Sequence, residues 1–296
     1  MRLSRSAGAA VLAAAIAVLS ACGTTDTSPT NPEAIIVDHT SVSLSAIPAT
    51  YLDQAKATLH IAYGHTSHGS QLTTGMTGLA AWRGGAYAWN GGGTGGALDL
   101  RDFYGDFGSL GMANDLGDPS RTAWEQATRA YLNTNPDVNV IVWAWCSQVD
   151  GSEPDIRHYL DLMDGLERDY PGVHFVYMTG HTDGAAPTGN VPTRNKQIRD
   201  YCRAGNKILY DFADIESYDP DGAYFGDKLV NDACDYDSNG DGSRDRNWAI
   251  DWENAHPGEW FSCESAHSQP LNANLKAYAA WWLWARLAGW DGTSPF

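Results

Sequence analysis

The fold is constrained most by four short, nearly continuous apolar runs that alternate with segments of helical periodicity. The runs cover 59–63, 138–145, 174–178 and 207–212. Such runs are typical of strands that are covered on both faces, because polar residues do not alternate with the apolar ones. Apolar residues recur at helical spacing in 121–133, 154–170, 192–204 and 271–287. This alternation predicts an α/β fold: a single domain with a doubly wound parallel sheet in three α/β/α layers.

Two longer stretches interrupt the alternation. The first, 82–117, is rich in glycine, and we expect a long loop with one strand near 97–103. The second, 219–261, has no clear periodicity, and we expect a loop-rich insertion there. Loops of this length in a compact domain are often functional.

Polar and small residues follow each apolar run. In a doubly wound sheet the carboxyl ends of the parallel strands meet at one edge, and ligands bind there. The residues at the four tips are 64–70, 146–148, 179–184 and 213–216. We therefore expect one functional site at this edge, with side chains from several strands.

A serine, a histidine and a carboxylate stand where a nucleophilic site would need them. Ser67 follows the first apolar run, where amides at the start of the next helix could stabilise an oxyanion. Glu264 and His267 are three residues apart, directly before the last helix. Catalysis by serine needs a base to take its proton and a carboxylate to orient that base. We expect Ser67, His267 and Glu264 to form this triad, with Ser70 as the rival to Ser67.

This arrangement resembles the SGNH, or GDSL-like, serine hydrolases, in a variant with His-x-Ser-x-Gly in place of Gly-Asp-Ser. The resemblance rests on His65-Thr66-Ser67-His68-Gly69 and on Glu264-x-x-His267, and it covers 55–290 as scattered short blocks. It implies a flavodoxin-like sheet and an esterase with Ser67 as nucleophile, His267 as base and Glu264 as its partner. It also implies acyl esters as substrates, including acetylated polysaccharides.

The chain departs from that family in its middle block. The family's Gly-x-Asn-Asp, whose Asn donates to the oxyanion, is absent after 138–145, and Ser147 and Gln148 are the candidate donors in its place. The family usually has Asp where this chain has Glu264. The remaining candidates for contact with the substrate or the oxyanion are His65, His68, Gly69, His181 and Asp183.

Two other classes of function stay open. The histidines at the strand tips, with Asp183 and either His256 or His267, could gather around a catalytic metal ion and make the protein a metal-dependent hydrolase. The second alternative is a non-catalytic carbohydrate-binding lipoprotein that has kept the hydrolase fold, because the Asn block is missing. A serine triad needs no cofactor, so we expect none for catalysis.

The N-terminus predicts export and a lipid anchor. Arg2 and Arg5 precede an apolar run over 7–19 that is too short for a stable membrane span. Leu19-Ser20-Ala21-Cys22 resembles the lipobox of bacterial lipoproteins, which implies a signal peptide over 1–21 and lipidation of Cys22. Residues 22–33 predict a flexible tether, so the domain covers 34–296. We expect a lipid-anchored protein of the cell envelope, in the outer membrane by default where there is one.

Charge and aromatic content limit the partners. The formal net charge of −17 at pH 7 disfavours nucleic acid and anionic surfaces, so we expect membrane contact only through the lipid anchor. Twelve Trp and fourteen Tyr residues favour carbohydrate, because exposed aromatic faces stack on sugar rings. We expect an esterified polysaccharide or a small ester as the substrate.

Four cysteines follow Cys22, and an exported protein can oxidise such residues to disulfides. We favour a bond between Cys234 and Cys263, which would staple the loop-rich insertion. Cys146, at the end of an apolar run, is expected to be a free buried thiol.

The insertion also contains an acidic segment that resembles the calcium loops of EF-hand and dockerin modules. Its oxygen-bearing side chains alternate, and Gly240 permits a sharp turn, whereas the twelfth position holds Arg246 instead of Glu. We expect a structural calcium ion that orders the loop before Glu264. The candidate ligands are Asp235, Asp237, Asn239, Asp241 and Asp245.

Overall fold

A computed structural model describes residues 33–105, 107 and 113–293 of the chain. Its centre is a sheet of seven parallel strands in the order β1-β7-β6-β5-β2-β4-β3. The strands are β1 (Ile35–Val37), β2 (His60–His65), β3 (Trp89–Asn90), β4 (Leu98–Tyr104), β5 (Val140–Trp143), β6 (His174–Met178) and β7 (Ile208–Tyr210).

The strand register brings the carboxyl ends of the central strands to one edge. On one side of β2, Ile61 pairs with Leu100 and His65 with Tyr104 at the end of β4. On the other side, Gly64 pairs with Trp143 at the end of β5. The segments after these strands therefore leave the sheet side by side.

Helices cover both faces of the sheet. On one face α8 packs against α1 and α2, and on the other α4 packs against α3 and α5. The helices are α1 (Ala49–Thr58), α2 (Ser70–Arg83), α3 (Ala123–Thr134), α4 (Glu153–Asp169), α5 (Asn190–Ala204), α6 (Phe212–Ile215), α7 (Trp248–Ala255) and α8 (Pro270–Leu287). The predicted three-layer α/β/α fold with a doubly wound parallel sheet is confirmed.

The sequence did not predict helices α1 and α6, and the other elements that it missed lie at the sheet edges or in the insertion. Strands β1 and β3 have three and two residues, too few for a hydrophobic period to show. The insertion 219–261 contains a two-stranded antiparallel hairpin, β8 (Asp235–Tyr236) and β9 (Arg246–Asn247), followed by α7. The rest of it is irregular, as expected.

The predicted signal peptide, the lipidation site at Cys22 and most of the tether lie outside the described residues. Among the helices of residues 33–105, 107 and 113–293, none is long and apolar enough to cross a membrane.

Candidate active site at the carboxyl edge of the sheet

The turn between β2 and α2 brings His68 to the carboxyl edge. Before the turn, His65 is buried, and its ring nitrogens lie 2.9 Å from the carbonyl oxygen of Thr66 and 2.6 Å from Oδ1 of Asp102. Gly69 is required in the turn, because a Cβ there would lie 2.4 Å from the Cβ of His65 and 2.7 Å from that of Ala144. The turn therefore packs directly against the end of β5.

Cys146, His68 and Asp232 form a chain of hydrogen bonds at this edge. Cys146 comes shortly after β5, and its Sγ lies 3.2 Å from Nδ1 of His68. The other ring nitrogen of His68, Nε2, lies 2.9 Å from Oδ2 of Asp232. A nucleophile, a histidine and a carboxylate joined in this order form one of the arrangements that enzymes use for nucleophilic catalysis.

The charges around this chain favour a thiolate and an imidazolium. The hydrogen bond from His68 outweighs partial burial and lowers the pKa of Cys146 to about 7. Burial favours the neutral ring of His68, but hydrogen bonds to Asp232 and Cys146 outweigh it and raise the pKa of His68 to about 9. Burial also works against the Asp232 carboxylate, yet the hydrogen bond from His68 holds its pKa below the usual value. Between these values Cys146 is ionised and His68 carries a proton.

Three imidazole rings stack at the site, with His68 in the middle. The ring of His181, after β6, lies 3.8 Å from that of His68 between centroids at an interplanar angle of 6°. The ring of His267 lies 4.4 Å from that of His68 at 20°. Burial and then the charge of His68 lower the pKa of His181. Its Nε2 is buried, and no residue that the structure describes forms a hydrogen bond with it. His181 is therefore a neutral neighbour of the His68 imidazolium.

The backbone of His267 adopts a φ of 62°. This left-handed conformation costs energy for a residue with a Cβ, and such residues cluster at functional sites. The strain is consistent with a ring that must be held against His68.

A buried ion pair anchors the segment that carries His181. Lys276 on α8 and Glu216 after α6 are both fully buried, with Nζ 2.5 Å from Oε1. The other oxygen of Glu216 accepts a hydrogen bond of 2.8 Å from the backbone amide of Thr182. The pair therefore fixes the chain at the residue next to His181.

The same lysine reaches the segment that carries His267. Lys276 donates a hydrogen bond to the side-chain oxygen of Gln71 on α2. The Nε2 atom of Gln71 donates to the carbonyl oxygen of Ala266, 2.5 Å away. Lys276 is thus linked to the segments of both outer rings of the stack: through Glu216 to the residue after His181, and through Gln71 to the residue before His267.

The expected triad of Ser67, His267 and Glu264 is not assembled. Ser67 Oγ lies 3.6 Å from Cys146 Sγ, and His267 stacks on His68. Glu264 is exposed and lines a cleft beside α2. In the described part of the chain, neither an ion pair nor a hydrogen bond joins His267 to Glu264 or Ser67, and the His267 ring packs against His68 instead.

The other expected residues have different positions at the edge. Ser147 is exposed and begins a short 3-10 turn directly after Cys146. Gln148, in the same turn, has a buried Oε1 that no other described residue contacts through a hydrogen bond. Asp183 accepts a hydrogen bond of 3.0 Å from the amide of Ala185 and so shapes its own loop. Ser70 donates to the carbonyl oxygen of Ser67, 2.6 Å away, which is a role in the turn.

Three aspartates at the site were missed. Asp102 lies inside the strand expected near 97–103, one residue before its end, so a rule that selects residues after the strands does not find it. Asp232 lies in the insertion and Asp115 in the glycine-rich stretch, where no periodic signal marks a position. Asp115 accepts a hydrogen bond of 2.7 Å from Thr66 Oγ1, and burial raises the pKa of its carboxyl group to about 6.

The acidic segment forms a closed turn between β8 and β9. Asp237 accepts hydrogen bonds from the amides of Gly240 and Gly242 at 2.7 Å and 2.8 Å. Asp245 accepts from the amide and hydroxyl of Ser238, both at 2.9 Å. The remaining candidate ligands are also hydrogen-bonded within the hairpin: Asp235 to Asn247, Asn239 to the amide of Asp241, and Asp241 to the amide of Ser243. The calcium site stays a prediction.

The expected disulfide between Cys234 and Cys263 is not formed, because the two thiols face different neighbours. Cys234 is fully buried, and its Sγ lies 3.4 Å from Ser268 Oγ. Cys263 packs beside Gly78 of α2. Cys146 is a free thiol, as expected, but it is half-buried rather than buried.

No model of a known protein family matches this chain, and no curated protein matches it significantly. Membership of the SGNH hydrolases therefore stays a prediction from the short motifs described above.

Proposed function

We propose that the protein hydrolyses acyl esters and that Cys146, rather than Ser67, is its nucleophile. The observation that carries the proposal is the chain from Cys146 through His68 to Asp232, with contacts of 3.2 Å and 2.9 Å. The pKa of about 7 for Cys146 supports it, because the thiolate is the reactive form of cysteine.

In the first half of the reaction, the Cys146 thiolate attacks the carbonyl carbon of the ester and forms a tetrahedral oxyanion. The oxyanion collapses, the C–O bond to the alcohol breaks, and the His68 imidazolium gives its proton to the departing alkoxide. The products are a thioester on Cys146, the free alcohol and a neutral His68. Asp232 holds the His68 ring in place and stabilises its charged form.

In the second half, neutral His68 takes a proton from water as the water oxygen attacks the thioester carbonyl. The C–S bond then breaks, releasing the carboxylic acid and the Cys146 thiolate with His68 protonated again. This step needs an entry path for water, which the half-buried position of Cys146 provides.

Ser67 has a place in this scheme as a donor. Its hydroxyl lies 3.6 Å from Cys146 Sγ and is therefore close to any carbonyl group that the thiolate attacks. We propose that this hydroxyl donates to the developing oxyanion together with amides of the turn that begins at Ser147. Loss of a single oxyanion donor typically costs about 10²–10³-fold in kcat.

The test is hydrolysis of p-nitrophenyl acetate by the whole protein and by single variants. We expect Cys146→Ala and His68→Gln to lose essentially all turnover, and Ser67→Ala to retain a measurable fraction. Cys202→Ala is the matched control, because Cys202 is fully buried on α5 and away from the edge. It should leave kcat unchanged.

The opposite pattern would overturn the assignment of the nucleophile. If Ser67→Ala is inactive while Cys146→Ala keeps its turnover, the serine mechanism implied by the SGNH resemblance is correct. If the wild-type protein cleaves neither this ester nor acetylated polysaccharides, the non-catalytic binding function takes its place.

A metal-dependent hydrolase is the second candidate, because ligating atoms of His68, Asp232 and His267 all lie within 4.8 Å of one another. The Nε2 atom of His181, which is buried and has no hydrogen-bond partner among residues 33–105, 107 and 113–293, could supply a further ligand. The stacking counts against it, because the lone pairs of parallel rings do not converge on one point, and both nitrogens of His68 already have partners.

The two mechanisms respond oppositely to simple reagents. A metal enzyme loses turnover on dialysis against EDTA and regains it with zinc, whereas alkylation with iodoacetamide spares it. The thiol mechanism requires inactivation by iodoacetamide and full activity after EDTA.

The location is a proposal that rests on sequence alone. We propose that Cys22 carries a lipid and holds the domain at the cell envelope, with the lipobox as support. Replacement of Cys22 by Ala should move the protein from the membrane fraction to the soluble fraction of the producing cells.

A further inference from the structure

A cleft of about 370 Å³ runs along α2, within the size range of small-molecule sites. One wall is the face of α2 that carries Thr73, Thr74 and Thr77 at helical spacing. The opposite walls come from the sheet edge and from the segment before α8. The lining consists of Thr73, Thr74, Thr77, Gly78, Ala81, Trp89, Asp102, Ser262, Cys263 and Glu264.

The threonines of the cleft can act mainly as acceptors. The hydroxyls of Thr74 and Thr77 donate to backbone carbonyls of α2, each at 2.9 Å. Thr73 donates to the same helix at 3.3 Å. Since each hydroxyl proton is used within the helix, the oxygen lone pairs are what these residues offer to a ligand.

The charged groups of the cleft are also acceptors. Asp102 and Glu264 contribute carboxylates, and the described residues of the lining include neither Lys nor Arg. Such a surface pairs with ligand groups that donate hydrogen bonds, and it repels carboxylates, sulfates and phosphates.

Trp89 supplies an apolar wall. It lies on the edge strand β3 and is half-buried. In the described part of the chain its indole ring stacks on no other aromatic ring, unlike Trp82, which packs against Phe261. An indole face beside a row of hydrogen-bond acceptors fits a ring with an apolar face and hydroxyl groups at its rim.

We infer that this cleft binds an uncharged polysaccharide, with a sugar ring on Trp89 and sugar hydroxyls donating to Asp102, Glu264 and the threonines of α2. Glu264 is then a binding residue rather than the orienting partner of His267. An acidic polysaccharide or a phosphorylated ligand is excluded by the same carboxylates.

The cleft lies next to the site of acyl transfer. Asp102 at one end is hydrogen-bonded to His65, which begins the turn leading to His68. Glu264 precedes His267 by three residues, and the His267 ring stacks on His68. A polysaccharide in the cleft would present its ester groups to Cys146, and this part of the inference rests on the proposed function.

The experiment measures binding in the Cys146→Ala variant of the full chain, so that hydrolysis cannot consume the ligand. Native gels containing hydroxyethyl cellulose, xylan or galactomannan test uncharged polymers, and gels with polygalacturonate or chitosan test acidic and basic ones. We expect at least one uncharged polymer to retard the protein and polygalacturonate to have no effect. Trp89→Ala, added to this variant, should abolish retardation, and Glu264→Gln should weaken binding about tenfold.

Trp252→Ala is the matched control, because Trp252 is a half-buried tryptophan on α7 that does not line the cleft. It should bind as the parent does. Unchanged retardation of the Trp89→Ala variant would overturn the inference, as would equal binding of polygalacturonate, a preference for chitosan, or no retardation by any uncharged polymer.

The experiments distinguish failure of the proposed hydrolase function from failure of the proposed sugar cleft. Retardation that depends on Trp89, together with no ester cleavage by wild type, removes the proposed hydrolase function and leaves the sugar cleft. Ester cleavage that depends on Cys146, together with no retardation, removes the cleft as a sugar site and leaves the hydrolase.

Discussion

Two cysteines of this chain sit in regions of opposite character. Cys146 lies at the carboxyl edge of the sheet beside the His68 imidazolium, and its pKa is lowered to about 7. Cys202 lies between α5 and the sheet with no exposed surface, and burial followed by the charge of Asp211 raises its pKa well above the usual value. A nearby hydrogen-bonded charge can therefore outweigh the burial that makes other thiols inert.

Replacement of His68 should remove the difference in reactivity between Cys146 and Cys202, and it is the largest effect we expect. In His68→Gln the thiolate loses its positive partner and the reaction loses its proton carrier. Ester turnover should fall by about 10³-fold or more, within the range for loss of a general acid–base residue. Alkylation of Cys146 by iodoacetamide should require a higher pH, near the ordinary cysteine pKa of about 8.5. An unchanged alkylation profile, measured by mass spectrometry, would show that His68 does not ionise Cys146.

The buried ion pair behind the stack is the next test. Lys276→Met leaves the fully buried Glu216 without its charge partner, and loss of one member of such a pair costs about 3–5 kcal/mol. Urea denaturation should show a destabilisation of that size. The double variant Lys276→Met, Glu216→Gln removes both charges and should recover part of the stability.

That double variant also separates folding from positioning. We expect it to fold but to hold His181 and His267 less firmly, so that kcat falls more than KM changes. Wild-type kcat in the double variant would mean that the pair stabilises the core without positioning the rings.

A smaller effect is expected in the pH dependence of kcat/KM. Turnover needs ionised Cys146, whose fraction grows as the pH rises through about 7, and protonated His68, whose fraction declines as the pH rises through about 9. We expect a bell-shaped dependence of kcat/KM with these limits, which belong to the coupled pair. In Asp232→Asn the alkaline limit should move to lower pH, because His68 loses the carboxylate that favours its charged form. A profile that rises only with the titration of a residue near pH 6 would instead point to Asp115.

Calcium should have the smallest effect, and only on stability. If the segment from Asp235 to Asp245 binds calcium as predicted, saturation at about 100 times the dissociation constant adds about 2.7 kcal/mol. Thermal unfolding with calcium or EDTA, in wild type and in Asp237→Ala, measures this. The absence of any calcium-dependent shift in wild-type Tm would refute the calcium prediction, and turnover at 25 °C should not depend on the ion.

The layers of the fold could be predicted from the sequence, because the central strands are long enough for their continuous apolar pattern to be visible. The runs at 138–145 and 174–178 became β5 and β6, and the helix expected over 271–287 became α8. Strand β1, with three residues, carries no such pattern, and its place beside β7 is set by tertiary pairing.

The candidate site was only partly predictable. The convergence of strand tips correctly brought His65, His68 and Cys146 to one edge. The partner of His68 could not be found, since Asp232 reaches it from an irregular insertion 164 positions further along the chain. The conformation of His267 could not be predicted either, because no sequence pattern indicates a left-handed backbone at a residue other than glycine.

The nucleophile can be identified by trapping the acyl-enzyme. The whole protein is mixed with excess p-nitrophenyl acetate, quenched in acid within the first turnover, digested and analysed by mass spectrometry. We expect one acetyl group on the peptide that contains Cys146, and neutral hydroxylamine should remove it because it is a thioester. An acetyl group on the peptide that contains Ser67, with Cys146 unmodified, would contradict it.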